Sequence, residues 1–325
     1  MKKILLWLLA LIITVIVLVY QRITGPTYPI QGQSQIRDTE INYKLERSHV
    51  NTEDYQIKIH VPEKNIQGTV LFRIFRSQNE WTKKEMTREG DYLVGSLPKQ
   101  PPAGKLEYKV LLKSTHQTVS LSGETPVVIR FKGPVPSSIV LIHILFIFAA
   151  FLFSIRSGLE SLIPNSNPKR TAIWAVVFLF IGGMIFGPIM QKFSFGSFWT
   201  GFPLGKDLTD TKTLVALLFW IIALWASRKK SKKTSRRWIL AASCVMLVVF
   251  LIPHSLLGSE FDYSQLENNE NPIVQNADSP KTRVPGLFAS RVYHRCEAQS
   301  MKKVRSFTAN ALQQSRCRKI GSPER

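Results

Sequence analysis

The sequence predicts a membrane α-helical bundle of five transmembrane helices joined to an all-β sandwich domain. Three observations predict it. Apolar residues gather in five segments of near-spanning length. A stretch of about 115 residues between the first two of these alternates in short strands instead, and the basic residues crowd into alternate loops. Of 325 residues 45% are hydrophobic, yet 43 Lys+Arg face 22 Asp+Glu, a formal net charge of +21. A chain so basic and so apolar keeps the two properties in separate segments. That excludes a disordered chain and a disulfide-stapled secreted scaffold.

Ile4–Tyr20 runs seventeen residues without a charge. Lys2 and Lys3 precede it, as in a signal peptide, but its apolar core exceeds the about 7–15 residues of one and no small-x-small site follows. An uncleaved anchor over residues 1–21 is the expectation. Ile139–Ile155 is broken only by His143, and Ala172–Met190 and Trp238–Pro253 carry no charge. Leu214–Ala226 is short. Begun at Thr211 it suffices, provided that Lys212 snorkels outward and Ser227 inward. Crossing a bilayer takes about 17–25 apolar residues, because no water satisfies the backbone there. The last four spans are expected to form one bundle over 138–258.

Cytoplasmic loops are enriched in Lys and Arg. With the amino terminus inside, Met1–Lys3, Arg156–Arg170 and Ser227–Arg237 hold twelve basic residues against one acid, Glu160. The run Arg228-Lys229-Lys230-Ser231-Lys232-Lys233 is the strongest such signal, and it reads as a topology determinant more readily than as a nucleic-acid patch. The β domain, 22–137, and the carboxyl terminus are therefore expected on the outer side. Arg156 and Glu160, one turn apart, are expected to pair.

Within 22–137, Tyr55–Val61 alternates polar and apolar residues. Thr69–Phe75, Tyr92–Gly95, Leu106–Leu112, Gln117–Leu121 and Val127–Phe131 follow as β-branched or aromatic runs bounded by turn residues such as Glu89-Gly90-Asp91. Six or seven strands in about 100 residues suit a β-sandwich. Trp81 and Tyr108 read as core aromatics rather than a sugar-stacking pair. Seventeen basic against twelve acidic residues leave no nucleic-acid footprint here.

Gly68-Thr-Val-Leu-Phe-Arg-Ile-Phe-Arg76, then Trp81, Met86, Gly90-Asp-Tyr-Leu-Val-Gly-Ser-Leu-Pro98 and Gly104-Lys-Leu-Glu-Tyr-Lys-Val110, resembles an immunoglobulin-like or fibronectin type III-like module of bacterial surface proteins. The resemblance covers about 50 residues. It implies a fold and no activity. The whole chain resembles bacterial multi-pass proteins of the cytoplasmic (inner) membrane that carry such an extracytoplasmic domain.

No Gly-x-Gly-x-x-Gly, Walker A, Cys-x-x-Cys, His-Glu-x-x-His or Gly-x-Ser-x-Gly pattern occurs, and no enzyme is expected. Cys244, Cys296 and Cys317 have no metal-binding spacing. His143 and His254 both fall near the outer interface. They are the candidate ligands if the chain holds haem or copper, although no cofactor is the primary expectation. Between the third and fourth spans, Phe193–Phe202 carries five aromatics that suit an interfacial belt. Asp210 or Thr211 is expected to cap the next helix, while Asp207 has no such role; Asp207 and Asp210 together are a candidate polar site. Gly183 and Gly187 form a Gly-x-x-x-Gly spacing expected to pack helices closely. Residues 259–325 are polar, then basic, and are expected to be disordered.

The functional expectation is a non-enzymatic membrane protein. Its outer β domain would recruit an extracytoplasmic protein, with the lipid bilayer as the other partner and no nucleic acid. A haem or metal redox protein using His143 and His254 is the alternative. A small transporter is weaker, since no charge lies mid-helix and no inverted repeat is visible.

Overall fold

A computed structural model describes residues 2–263, except 38, 116, 230, 254–257 and 259. The tail expected to be disordered lies, from residue 264 on, outside the described residues, as does His254. Among the described residues five helical segments are long and apolar enough to cross a membrane, the mark of a membrane protein. Four are continuous: α1 (Lys2–Thr24), α2 (Ser137–Ser161), α5 (Leu208–Lys229) and α6 (Lys232–Leu251). The third joins α3 (Lys169–Leu179), a π-helical stretch (Phe180–Phe186) and α4 (Gly187–Phe195).

Each helix sorts its residues by face. On α1, Ala10, Thr14 and Val17, spaced one turn apart, turn inward, while Ile4, Leu8, Ile12 and Ile16 face away from the protein. The central helix is α2, which packs against α1, α3 and α6. Phe151 of α2 stacks on Phe250 at 4.3 Å between ring centroids, and the Trp220 indole N–H of α5 points at the Met246 sulfur, 3.1 Å away. At the end of the bundle away from the β domain, Arg156 Nη1 meets Glu160 at 2.7 Å, the pair the sequence predicts. Arg156 also lies over the Trp7 ring of α1, and Arg236 Nε donates to the Ser161 carbonyl at 2.8 Å. The turns carrying the basic runs therefore lie at that end.

Lys212 reaches the end of α6 nearer the β domain, the outward direction expected, whereas Ser227 bonds back into its own helix. Lys212 is buried, and its ammonium donates to the Ile252 carbonyl at 2.7 Å. The last carbonyls of α6 lack partners within their own helix, and a cation there satisfies one of them and the helix dipole together. Ser227 is also buried and donates to the Ala223 carbonyl one turn back.

The β domain begins with an antiparallel hairpin, β1 (Ile30–Ile36) and β2 (Thr39–Leu45). Nine strands follow: β3 (Ser48–Val50), β4 (Tyr55–His60), β5 (Gln67–Ile74), β6 (Thr82–Glu85), β7 (Thr87–Glu89), β8 (Tyr92–Leu97), β9 (Lys105–Lys113), β10 (Thr118–Ser120) and β11 (Val127–Lys132). One sheet has the order β3-β11-β9-β5-β6, with β10 also on β9; another runs β4-β8-β7. Their inner faces share one core, where Ile57 and Ile59 meet Leu93, Leu106, Tyr108 and Phe131. Tyr108 is fully buried and donates through its hydroxyl to the Glu46 carbonyl at 2.8 Å. Trp81 sits outside that core, its ring 4.6 Å from the Arg73 guanidinium. The chain changes sheets at Met86, where β6, paired to β5, gives way to β7, paired to β8.

Candidate functional site

The β3–β11 pair fixes the geometry of the site. It is parallel, with Arg130 beside Ser48 and Lys132 beside Val50. Successive side chains of a strand point to opposite faces. His49 and Phe131 therefore turn into the β core, where their rings lie 5.9 Å apart. Glu46, Ser48 and Val50, with Arg130 and Lys132, take the other face. That face is the roof of a cavity of about 650 Å³ whose walls and floor are helical. The roof is polar. Deeper in the bundle the lining is apolar and comes from Ile147, Phe148, Leu179, Ala216, Val249 and Phe250.

Two attachments mount the roof on the bundle. Just after β11, the Gly133 amide donates to the Ser194 carbonyl at 2.9 Å. A Cβ at Gly133 would stand 2.2 Å from the Phe193 carbonyl oxygen, so only glycine lets the strand come this close to α4. The second attachment follows α6. The Phe261 amide donates to the Ala103 carbonyl at 3.2 Å, and Glu260 meets Lys105 at 2.6 Å and Arg76 at 3.7 Å. The Tyr263 hydroxyl accepts from the Lys105 amide at 3.2 Å and donates to Gln100 at 3.0 Å. This strap also confines Arg130, since a Cβ at Gly258 would fall 2.7 Å from Arg130 Nη1.

The two aspartates exchange their expected roles. Asp207 is the cap of α5: its Oδ1 accepts from the Thr209 amide at 2.7 Å. The cap satisfies one of the amides that a helix start leaves without a partner. Asp210 turns back to the loop instead, where its Oδ2 accepts from the Thr200 amide at 2.8 Å and the Gly201 amide at 3.1 Å. Thr211 holds the same loop by accepting from the Phe202 amide at 3.0 Å. Both aspartates are buried and line the cavity, and Asp207 acts electrostatically on both Arg130 and Lys212. The aromatics of the loop divide. Phe193, Phe198 and Phe202 face outward, whereas Phe195 lies under Arg130 with its ring 5.4 Å from the guanidinium carbon.

His143 projects from α2 toward the π-helical stretch, and its Nδ1 lies 3.0 Å from the Gly182 carbonyl. Against a carbonyl that nitrogen must be the donor, so the ring is held as one tautomer beside the cavity. The Gly182 carbonyl also receives the Gly187 amide, five residues on. The close helix approaches fall on Gly182 and Gly183, not on Gly183 and Gly187. A Cβ at Gly182 would come 3.0 Å from the Ile147 amide nitrogen of α2, and one at Gly183 2.7 Å from Thr213 of α5. At Gly187 the nearest atom would be 3.5 Å away, because the wider π turn rotates it off that face and toward the cavity. Among the described residues no three His, Cys, Asp or Glu side chains gather to hold a metal.

Burial pushes Arg130 below its ordinary value, opposed by the negative charges of Asp207 and Glu260. Burial would raise Glu260, but the hydrogen bond and charge of Lys105, with the charges of Arg76 and Arg130, hold its carboxyl below the usual range. Lys105 is itself pushed down, since it is more buried than its partner and desolvation outweighs the attraction.

Sequence reasoning missed the roof. β3 is three residues long and pairs in parallel across about 80 positions, which no local pattern announces. Arg130 and Lys132 carried one signal: they are the polar alternates of an otherwise apolar strand. No known family model matches the chain, and no curated protein matches it either.

Proposed function

We propose that the chain is a binding protein of a bacterial cytoplasmic membrane, not an enzyme, and that it holds a membrane amphiphile in the cavity between its β domain and its helices. One observation carries this reading. The cavity is polar where the β domain covers it and apolar where it enters the bundle, the polarity profile of the outer half of a bilayer. Its volume, about 650 Å³, falls in the range of ligand pockets, roughly 300–1,000 Å³. The basic turns at the far end of the bundle support an extracytoplasmic β domain. The strand orders β3-β11-β9-β5-β6 and β4-β8-β7 support the immunoglobulin-like reading, because they match two facing sheets of Greek-key connectivity.

The test is the amphiphile that purifies with the full chain in detergent, measured by mass spectrometry of the protein and its extract. Val140→Trp, on the α2 wall of the cavity, and Ala216→Phe, on its floor, are expected to displace that amphiphile while the protein keeps its far-ultraviolet circular dichroism. Unchanged retention in both variants would sink the reading. A second reading, recruitment of an extracytoplasmic protein, is favoured by the β5–β6–β9 face, where Trp81 lies among Arg73, Lys109 and Lys83. Photocross-linking from Lys83 tests it: a single discrete adduct supports recruitment and none contradicts it.

A further inference from the structure

Resting on the reading of the cavity as an amphiphile site, we infer that the bound species carries a phosphate-type anionic group, held between Arg130 of the roof and Lys212 of α5. Both cations line the cavity, and each is over nine-tenths buried, 7% and 6% exposed. They approach from different elements, one from strand β11 and one from the first turns of α5. Burying a cation is costly unless negative charge accompanies it.

Asp207 supplies part of that negative charge to both cations. Asp210 spends its Oδ2 on the Thr200 and Gly201 amides, and Asp207 spends Oδ1 on the α5 cap. Among the described residues the cavity is lined by four permanent cations, Arg22, Arg130, Lys132 and Lys212, against three carboxylates, Glu46, Asp207 and Asp210. The excess is one positive charge, which one phosphodiester neutralises. The two cations also suit a phosphate in kind. A guanidinium offers a planar fork of N–H donors to two oxygens, and an ammonium offers a compact point charge to a third. The Arg130 fork is held in place, with the Phe195 ring on one side and the Gly258 backbone against its Nη1. Below these groups the lining turns apolar at Ile147, Val249 and Phe250, so a headgroup gripped here would send its chain into the bundle.

The experiment uses the full-length protein in neutral detergent micelles with equal amounts of phosphatidylglycerol and a diacylglycerol of the same acyl chains. Mass spectrometry reads the ratio of the two retained. The wild type is expected to favour phosphatidylglycerol by about tenfold or more, the scale of one or two charge-assisted hydrogen bonds. Arg130→Gln and Lys212→Gln should each lower that preference by about tenfold. Lys132→Gln, at an exposed position that spares the fold, should lower it several-fold, and Lys58→Gln on the distant strand β4 should leave it unchanged. Equal retention of both amphiphiles by the wild type, or a preference that survives Arg130→Gln and Lys132→Gln alike, overturns the phosphate inference and leaves the amphiphile reading standing. Retention of neither, with no response to inorganic phosphate, overturns both. A thermal shift with inorganic phosphate alone, lost in Arg130→Gln, would keep the phosphate chemistry and assign it to a free anion instead of a lipid.

Discussion

Gly133→Ala is the sharpest perturbation of the mount between β domain and bundle. An added methyl would begin 2.2 Å from the Phe193 carbonyl oxygen, about 1 Å inside the closest ordinary contact, and the obstacle is backbone that cannot swing aside. Relief requires β11 to lift away from α4, which breaks the 2.9 Å hydrogen bond from the Gly133 amide to the Ser194 carbonyl. Losing that bond costs about 0.5–1.5 kcal/mol. The residual overpacking costs about 1–3 kcal/mol. A loss of roughly 2–4 kcal/mol is therefore expected. Thermal unfolding of the purified protein should show a clearly lowered midpoint, and limited proteolysis should cut faster near residues 133–136. Gly187→Ala provides the comparison, since the nearest atom to its Cβ would be an unforced 3.5 Å away. Gly133→Ala unfolding at the wild-type temperature, with wild-type protease resistance, would refute the close mount.

Asp207→Ala should cost about 1 kcal/mol through the lost α5 cap, read as a lower denaturation midpoint, and Asp207→Asn should recover most of it. The strap contact should weaken in acid. The Glu260 carboxyl is held below its ordinary value of 4.5, so its contribution is present above that pH and is lost as pH falls through the lowered value. Hydrogen exchange of the Phe261 amide, compared between pH 6 and pH 3 after correction for intrinsic rates, should show this release, and Glu260→Gln should abolish the difference. Reporter fusions after Lys233 and after Tyr263 should report the cytoplasmic and outer sides respectively. The same side for both would overturn the five-span topology.

The five long helical segments were legible because each is an almost unbroken apolar run of a length that a bilayer would admit only as helix. The alternating segments of β4, β5, β8, β9, β10 and β11 were legible for a similar reason, since one of their faces is buried. β1 was not: between its two isoleucines the inward face of Ile30-Gln-Gly-Gln-Ser-Gln-Ile36 offers only Gly32 and Ser34, too little apolar surface to announce a strand. β6 and β7 are charged edge strands, whose exposure removes the pattern that would reveal them. The π-helical stretch was hidden because Phe180–Phe186 has the composition of ordinary helix, and only the bond from His143 to the Gly182 carbonyl accounts for its carbonyl being shared. Asp207 and Asp210 were visible as a pair, but which one caps α5 depends on where the helix starts, at Leu208, six residues before the apolar run that begins at Leu214. Arg130 became a site residue only through its parallel neighbour Ser48. That is tertiary information.

The most direct measurement is a cryo-electron microscopy map of the full chain in lipid nanodiscs. An amphiphile site requires elongated density that starts between Arg130 and Lys212 under the β3–β11 edge and runs down past Ile147 to Phe250. A cavity filled only by separate, water-sized peaks, or closed by collapse of the β domain onto α2, would contradict it.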